Sequence, residues 1–303
     1  MYLLRCALAP LLALLLATPV AAAPALRRFG DEDTTIYLFG TIHALPPGYR
    51  WRDARINRAM ERSDTLVIET VIDKDPANLA RLFPPPDPSL PPIVERVPAK
   101  NRKALIRLIR KSGIDQMALD RMPTWQAAFL MMGAMMKDLG IARDAGVESN
   151  ISKDFETPYK QGGAPRNIEG LETPASQLAL FSNLSEEDQR ELLGSMVSGE
   201  GDARVDYVKM LGAWANGNQP AIARAFAEDE DLTPRLREIL LRQRNANWTR
   251  WLKARLDTPG TVFVAVGAGH LAGSTSVQSM LTADGIKVER IYAHQPRRKQ
   301  AAR

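Results

Sequence analysis

Between residues 35 and 70, the pattern of apolar and polar positions changes from a short apolar run to helical spacing and back to a short apolar run. Residues 35–39 (TIYLF) form a short apolar run that ends at Gly40, which is typical of a buried strand. Residues 51–63 then place Ile56, Ala59 and Met60 at helical spacing, and residues 64–70 (DTLVIET) form a second short apolar run. Strand, helix and strand in this order predict a βαβ unit and therefore a parallel sheet.

The middle of the chain is predicted to be mostly helical. Residues 82–100 are rich in proline and exclude a regular helix or a central strand. Helical spacing follows from about 100 to 145, and residues 162–181 indicate a loop, a short strand and a helix capped by Thr173 with Pro174 in its first turn. Further helices are predicted at about 185–197, 203–215, 219–228 and 233–256.

The carboxyl-terminal part returns to strands. Residues 258–270 contain the apolar run VFVAV, residues 274–285 indicate a helix that stops at Gly285, and residues 286–294 indicate a last strand. The pattern predicts an α/β fold with a central mixed, largely parallel sheet flanked by helices, and a large helical middle section. We expect residues 23–303 to form a single domain with a helical insertion at about 75–160 and a basic disordered tail at about 295–303.

Residues 124–140 (TWQAAFLMMGAMMKDLG) form a helix that is apolar nearly all round. A helix of this kind is usually buried in a core, and we favour that interpretation. The alternative is a substrate groove, because methionine side chains adapt to varied apolar ligands.

The first 22 residues have the layout of a secretory signal peptide. Arg5 precedes an apolar stretch that is too short for a comfortable membrane span, and small residues follow it, with cleavage expected after Ala22. The alternative is an uncleaved anchor. Cys6 is the only cysteine of the chain and lies in this leader, so the mature protein would lack thiols, as suits a bacterial periplasmic or secreted protein.

No basic face with interleaved aromatic residues indicates nucleic-acid binding.

Two of the three histidines share one local pattern. Residues 36–46 (IYLFGTIHALP) and 262–272 (VFVAVGAGHLA) each run from an apolar stretch into Gly-x-x-His, at His43 and His270. In a parallel sheet, ligands bind beyond the carboxyl ends of the strands. We therefore expect both histidines at one sheet edge, together with Glu69 at the end of the second strand. Two imidazoles and a carboxylate suit a divalent metal that activates water. The alternative is that each histidine is an ordinary polar residue of a loop.

The chain resembles the TraB/GumN family, which is related to the Tiki metalloproteases and the pheromone-shutdown proteins. The resemblance rests on YLFGTIHALP, DTLVIET, IEGLETPASQ, the Arg-Asn pair at 244–245 and the long segment from VFVAVGAGHLAG to KVERI. It implies a metal-dependent peptidase-like site on an α/β fold of the erythromycin-esterase-like and ChaN-like type. The metal is expected to be manganese, cobalt or zinc, and the partner a peptide or protein substrate.

The resemblance carries over residue by residue. His43 and His270 match the histidines of the paired motifs, Glu69 the acidic residue that closes the second strand, Glu172 the glutamate of Gly-Leu-Glu-Thr, and Arg244 the arginine of the Arg-Asn pair. We expect His43, His270 and one or both glutamates to hold the metal, with the other carboxylate as general base and Arg244 stabilising an oxyanion or binding a substrate carboxylate.

Each assignment has a structural alternative. Glu172 would cap the helix that follows it, and Arg244 would form a surface salt bridge. Glu169 and His294 are expected to be exposed bystanders. For the whole chain, the alternatives to an exported peptidase are a protein that sequesters peptides or binds haem without catalysis, and a hydrolase of non-peptide esters or lactones.

Overall fold

The computed structural model describes residues 23–73, 75–157, 165–198, 203–228 and 233–292. Within these residues, six strands form one sheet in the order β4-β3-β5-β2-β1-β6. The leader, His294 and the tail lie outside the described residues. The strands are β1 (Leu26–Gly30), β2 (Thr34–Thr41), β3 (Thr65–Thr70), β4 (Asn167–Glu172), β5 (Gly260–Gly267) and β6 (Glu289–Ile291).

The sheet is mixed and largely parallel, as predicted. Strands β4, β3, β5 and β2 run parallel to one another, whereas β1 pairs antiparallel with both β2 and β6. Strand β1 was not predicted from the sequence, because LRRFG places two arginines in a five-residue strand. A tight turn joins it to β2, in which the amide of Asp31 donates to the carbonyl of Thr34 at 3.0 Å and the Asp31 carboxylate accepts from the amide of Thr34.

The predicted βαβ unit exists, but its two strands are not neighbours. Strand β5, from the other end of the chain, lies between β2 and β3, so that Val264 pairs with Leu38 on one side and with Val67 on the other. This insertion brings the second Gly-x-x-His segment between the first one and Glu69. Local periodicity carries no information on a strand that arrives from 190 or more residues away, so the sequence pattern missed this arrangement.

Both faces of the sheet are buried, as the apolar runs predicted. Phe39 and Phe263 point to one face and pack with Trp214 and Phe155 from the helical middle. Alternate residues point to the other face, where Leu38 and Val264 pack against the helices Arg244–Arg255 and Val277–Ala283. Burial on both sides explains why these strands have no polar face in the sequence.

The helices occupy most of the chain between β3 and β5. Thr173 caps its helix with a reciprocal bond to Ser176, and Pro174 opens it, as predicted. The helices are α1 (Ala54–Arg62), α2 (Pro76–Ala80), α3 (Ala99–Ser112), α4 (Gln116–Asp120), α5 (Thr124–Asp138), α6 (Val147–Glu156), α7 (Pro174–Ser182), α8 (Glu186–Ser198), α9 (Ala203–Ala215), α10 (Gln219–Glu228), α11 (Pro234–Arg237), α12 (Arg244–Arg255) and α13 (Val277–Ala283), with a π-helical turn at Glu238–Gln243.

Helix α5 is buried along one face only. Ala127, Ala128 and Met131 belong to a separate apolar cluster with α3 and α8, whereas Leu130 and Met132 are exposed. The prediction of a core helix is therefore confirmed for one face. In the described part of the chain, no helix is both long enough and apolar enough to cross a bilayer.

Candidate active site

The site residues converge at the carboxyl end of the parallel strands. Glu69 is the penultimate residue of β3, Gly267 is the last residue of β5, and Thr41, the last residue of β2, pairs with Gly267. Ligands bind at this edge in open α/β sheets. The predicted meeting of the two Gly-x-x-His segments with Glu69 is therefore observed.

His270 is buried and held in a single orientation. It lies in the 3-10 helix Ala268–Leu271 that follows β5, with 5% of its surface exposed. Its Nδ1 lies 2.6 Å from Oδ1 of Asn245, whose amide nitrogen donates to the carbonyl of Thr275. Since this bond fixes the Asn245 amide, Nδ1 of His270 is the donor, and Nε2 carries the lone pair. Burial lowers the pKa of His270 to about 3, so the ring is neutral at physiological pH.

His43 is anchored in the same way by a different residue. Its Nδ1 lies 2.7 Å from Oε1 of Glu148, in the first turn of α6, and the hydroxyl of Thr41 donates to the same oxygen. A carboxylate accepts only, so Nδ1 is the donor of this pair, and Nε2 is the nitrogen that carries the lone pair when the ring is neutral. Unlike His270, the His43 side chain is 57% exposed.

Glu69 is a buried, ionised carboxylate between the two histidines. Its Oε1 accepts from the amide of Gly267 at 2.8 Å and lies 3.8 Å from Nε2 of His270, while its Oε2 accepts from Arg244 at 2.6 Å and from Gln177 at 3.3 Å. Burial opposes ionisation, but His270, the Arg244 guanidinium, His43 and the Gly267 amide outweigh it and lower the pKa of Glu69 to about 2.

Arg244 is the cation of the site rather than a surface residue. Its Nε and Nη2 donate to Glu172 at 2.8 and 2.9 Å, Nη2 also donates to Glu69, and Nη1 lies 3.1 Å from Nε2 of His270. The residue is 8% exposed. Burial opposes its charge, but the two glutamates outweigh burial and raise the pKa of Arg244. The π-helical turn precedes Arg244, and Nη1 reaches back to the carbonyl of Leu240 in that turn.

Glu172 binds Arg244 and does not cap α7. Its carboxylate also accepts from Nε1 of Trp248 at 3.0 Å, and the ring of Trp248 lies 4.3 Å from that of His270. Capping of α7 is performed by Thr173 instead. Glu169, expected to face solvent, is exposed.

The donor atoms near the sheet edge are of the kinds that bind divalent cations, namely imidazole nitrogen and carboxylate oxygen. Gly267 lies next to two of these groups: a Cβ atom at this position would lie 3.1 Å from Oε1 of Glu69 and 3.2 Å from Nε2 of His43. Neutral imidazoles whose second nitrogen is held by an acceptor are typical metal ligands, and so is an ionised carboxylate. In the described ranges, however, no three histidine, cysteine or acidic side chains are gathered closely enough to hold a metal ion. Arg244 contacts both Glu69 and His270, and its guanidinium takes the role of the local cation.

Sequence reasoning missed the residues that orient the site. Glu148 had no signal in the sequence, because it lies more than 100 residues from His43 and follows no strand. Asn245 had a weak one, since it is the second residue of the Arg-Asn pair. Gln177 and Trp248 belong to helices whose apolar and polar spacing is dominated by packing.

Comparison with known proteins gives one family. The model of the TraB/PrgY/gumN family matches residues 25–290, which include every predicted site residue. Proteins titled "Uncharacterized protein YbaP" from Escherichia coli (strain K12) and Shigella flexneri are each 23% identical to the chain over 249 residues, which are 81% of this chain and 87% of theirs. No solved structure matches the chain, so the likeness to erythromycin-esterase-like and ChaN-like proteins stays a prediction.

Proposed function

Because the chain belongs to the TraB/PrgY/gumN family, we propose that it is an exported, metal-dependent hydrolase that cleaves peptide bonds with water at the site between His43, Glu69 and His270. The resemblance to Tiki-like metalloproteases suggests the peptide substrate. The proposed export rests on the leader, residues 1–22.

One observation carries the proposal. Two imidazoles from opposite ends of the chain each have Nδ1 bound to a protein acceptor, so that in each neutral ring Nε2 carries the lone pair, and an ionised carboxylate lies nearby. Ordinary polar loop residues need no such matched tautomers. Metal ligands do need them, because coordination uses the lone pair of a neutral ring.

A divalent cation held by His43, His270 and Glu69 would acidify water and polarise a carbonyl. The residues of the chain supply the remaining functions. Arg244 is placed to donate to a developing oxyanion or to a substrate carboxylate, since its planar fork can form two bonds at once. Glu172 orients Arg244 through the bonds described above. Glu69 is a weak base, because its pKa is already low, and so it suits the role of a ligand better than that of a proton acceptor.

Arg244 and a metal would compete for the same atoms. The guanidinium contacts Oε2 of Glu69 and Nε2 of His270, two of the prospective ligand groups. Binding of a cation therefore requires Arg244 to withdraw towards Glu172, its other partner. Replacing Arg244 by Gln removes the competing charge, and we expect it to tighten metal binding while it slows hydrolysis.

A second candidate is hydrolysis of an ester or peptide without a metal. It is favoured by the His43–Glu148 pair, in which an accessible imidazole is backed by a carboxylate as in a catalytic triad. In this mechanism His43 takes a proton from the attacking water, and Arg244 is the permanent electrophilic group.

The test combines metal content with cleavage of a peptide library by the full-length protein. Wild type is compared with His43→Ala and His270→Ala, and with His294→Ala as the matched control, because His294 is the third histidine of the chain. The proposal expects binding of Mn²⁺, Co²⁺ or Zn²⁺ by calorimetry, and cleavage that a chelator abolishes. Metal binding and cleavage should both be lost in His43→Ala and in His270→Ala, and both should be retained in His294→Ala. Cleavage that survives chelation would support the metal-free mechanism. Binding or cleavage that persists in both site variants would overturn the assignment of the site.

A further inference from the structure

Helix α3 presents an outward arc of positive charge that the candidate active site does not use. The helix reads AKNRKALIRLIRKS and contains three lysines and three arginines but no acidic residue. Lys103, Arg107 and Arg110 follow at i, i+4 and i+7, a spacing that places them on one face. Lys100 lies one turn before Lys103 and Lys111 one turn after Arg107, on the same side of the helix, and all five side chains are exposed.

The opposite face of α3 fixes this arc in place. Leu105 and Ile109 are buried in the cluster shared with α5 and α8, and the amide of Asn101 donates to the carbonyl of Gly194 in α8. The helix therefore cannot turn its basic face inward. Its apolar face is not available for insertion into a lipid layer either.

The charges on this arc are almost entirely uncompensated. Lys111 pairs with Asp138 at 2.7 Å, but within the described parts of the chain no ion pair involves Lys100, Lys103, Arg107 or Arg110. Exposed helices of soluble proteins usually intersperse acidic and basic residues at i, i+4 spacing. Four unpaired cations on one face raise the local potential and favour a polyanionic partner.

We propose that this face docks the protein on a membrane surface rich in anionic phospholipids. Basic helical faces are a recurrent means of binding such surfaces. A nucleic-acid partner is disfavoured, because α3 carries no aromatic side chain on which a base can stack. The interaction is adsorption and is independent of the hydrolase proposal.

The test is flotation of the full-length protein with vesicles of phosphatidylcholine alone and with added phosphatidylglycerol. The pure phosphatidylcholine vesicles measure binding by apolar segments, including the leader. The increase in vesicle binding that phosphatidylglycerol causes is called here the anionic increment. The variant K103Q/R107Q/R110Q, which removes three positive charges, is expected to lower this increment about a hundredfold, at about fivefold per cation. The wild-type increment should fall when salt is raised.

Two controls change the same number of charges elsewhere. R50Q/R58Q/R62Q neutralises three exposed arginines on and just before α1, and R297Q/R298Q/K299Q neutralises the tail. The proposal expects both controls to keep most of the anionic increment, with thermal unfolding of all variants close to wild type. An equal loss in either control, the absence of any phosphatidylglycerol dependence, or stronger binding to a nucleic acid than to the vesicles would each overturn it.

Discussion

The two Gly-x-x-His segments are alike in sequence but differ in the contacts that the folded chain gives them. Strands β2 and β5 pair so that Thr41 lies opposite Gly267, and the two motif glycines, Gly40 and Gly267, are thus one residue out of register. Because successive residues of a strand point to opposite faces, the two glycines face opposite sides of the sheet. One motif leads into a buried 3-10 helix, and the other into a loop in which His43 is exposed while Ala44 and Leu45 are buried.

The difference extends to the residues that hold each imidazole. His270 is enclosed by Asn245, Trp248 and Arg244, whereas His43 reaches the surface and is held by Glu148. The same short motif therefore supplies one rigid internal ring and one accessible ring. This asymmetry suits a site that must fix one ligand and still admit a substrate, and the following predictions test it.

The largest expected difference is in stability. His270→Ala removes a buried ring and leaves Asn245 without its donor, and we expect it to lower the free energy of unfolding by about 2–4 kcal/mol. His43→Ala removes an exposed side chain, and its cost should stay below about 1 kcal/mol. Urea unfolding at pH 7.5 in the presence of a chelator measures both. Equal costs for the two variants would show that the asymmetry of burial has no energetic consequence.

His270 should also make the stability of the fold depend on pH. The pKa of His270 is about 3 in the folded chain, against about 6.5 in the unfolded chain. Below pH 6.5 the unfolded state therefore binds a proton at His270 that the native state does not bind. Stability should therefore fall by about 2–3 kcal/mol between pH 6.5 and 4.5. Below pH 4.5 the depressed pKa of Glu69 adds a further loss, because protonation then favours the unfolded state.

Unfolding titrations of wild type, His270→Ala and His43→Ala across pH 4.5–6.5 check this prediction. The slope should flatten in His270→Ala and persist in His43→Ala. A wild-type slope that survives the loss of His270 would assign the effect to another group.

A smaller effect is expected when the orienting partners are changed. Asn245→Ala should free the ring of His270 to exchange tautomers, and Glu148→Ala should do the same for His43, each at a cost of about 1 kcal/mol. With three histidines in the chain, nitrogen NMR of the imidazoles resolves each ring. Glu148→Gln, whose amide oxygen can still accept from Nδ1, should retain the His43 tautomer. A wild-type spectrum in both alanine variants would contradict the orienting roles.

The contrast shows what a sequence pattern can predict. Continuous apolar runs located β2, β3 and β5, because strands buried on both faces need such runs. Apolar residues at helical spacing located α1. The glycines and histidines at the strand ends predicted the edge where the site forms. The order of the strands, the π-helical turn before Arg244 and the partnership of Glu148 with His43 depend on contacts between distant residues, which local spacing does not encode. The same limit applies to Glu172, for which the sequence allows either a cap on α7 or a role in the site; in the folded chain Thr173 caps α7 and Glu172 binds Arg244.

The smallest change that separates the two motifs is a single methyl group on each glycine. A Cβ on Gly40 would lie 3.2 Å from the backbone Cα of Ala268, at the start of the 3-10 helix that carries His270. A Cβ on Gly267 would instead meet side-chain atoms, Oε1 of Glu69 and Nε2 of His43. Gly40 thus leaves space for the segment that carries His270, and Gly267 leaves space for the side chains of His43 and Glu69.

Gly40→Ala should consequently lower stability by about 1 kcal/mol or more, because backbone in a packed region yields with difficulty. Gly267→Ala should change stability less, since side chains can move by a few tenths of an ångström, but it should weaken metal binding by displacing two of the proposed ligands. Unfolding and metal titration of both variants measure the split. If Gly267→Ala lost stability and kept its metal affinity, the space around Gly267 would serve packing alone, and the proposed ligand set would have to exclude His43.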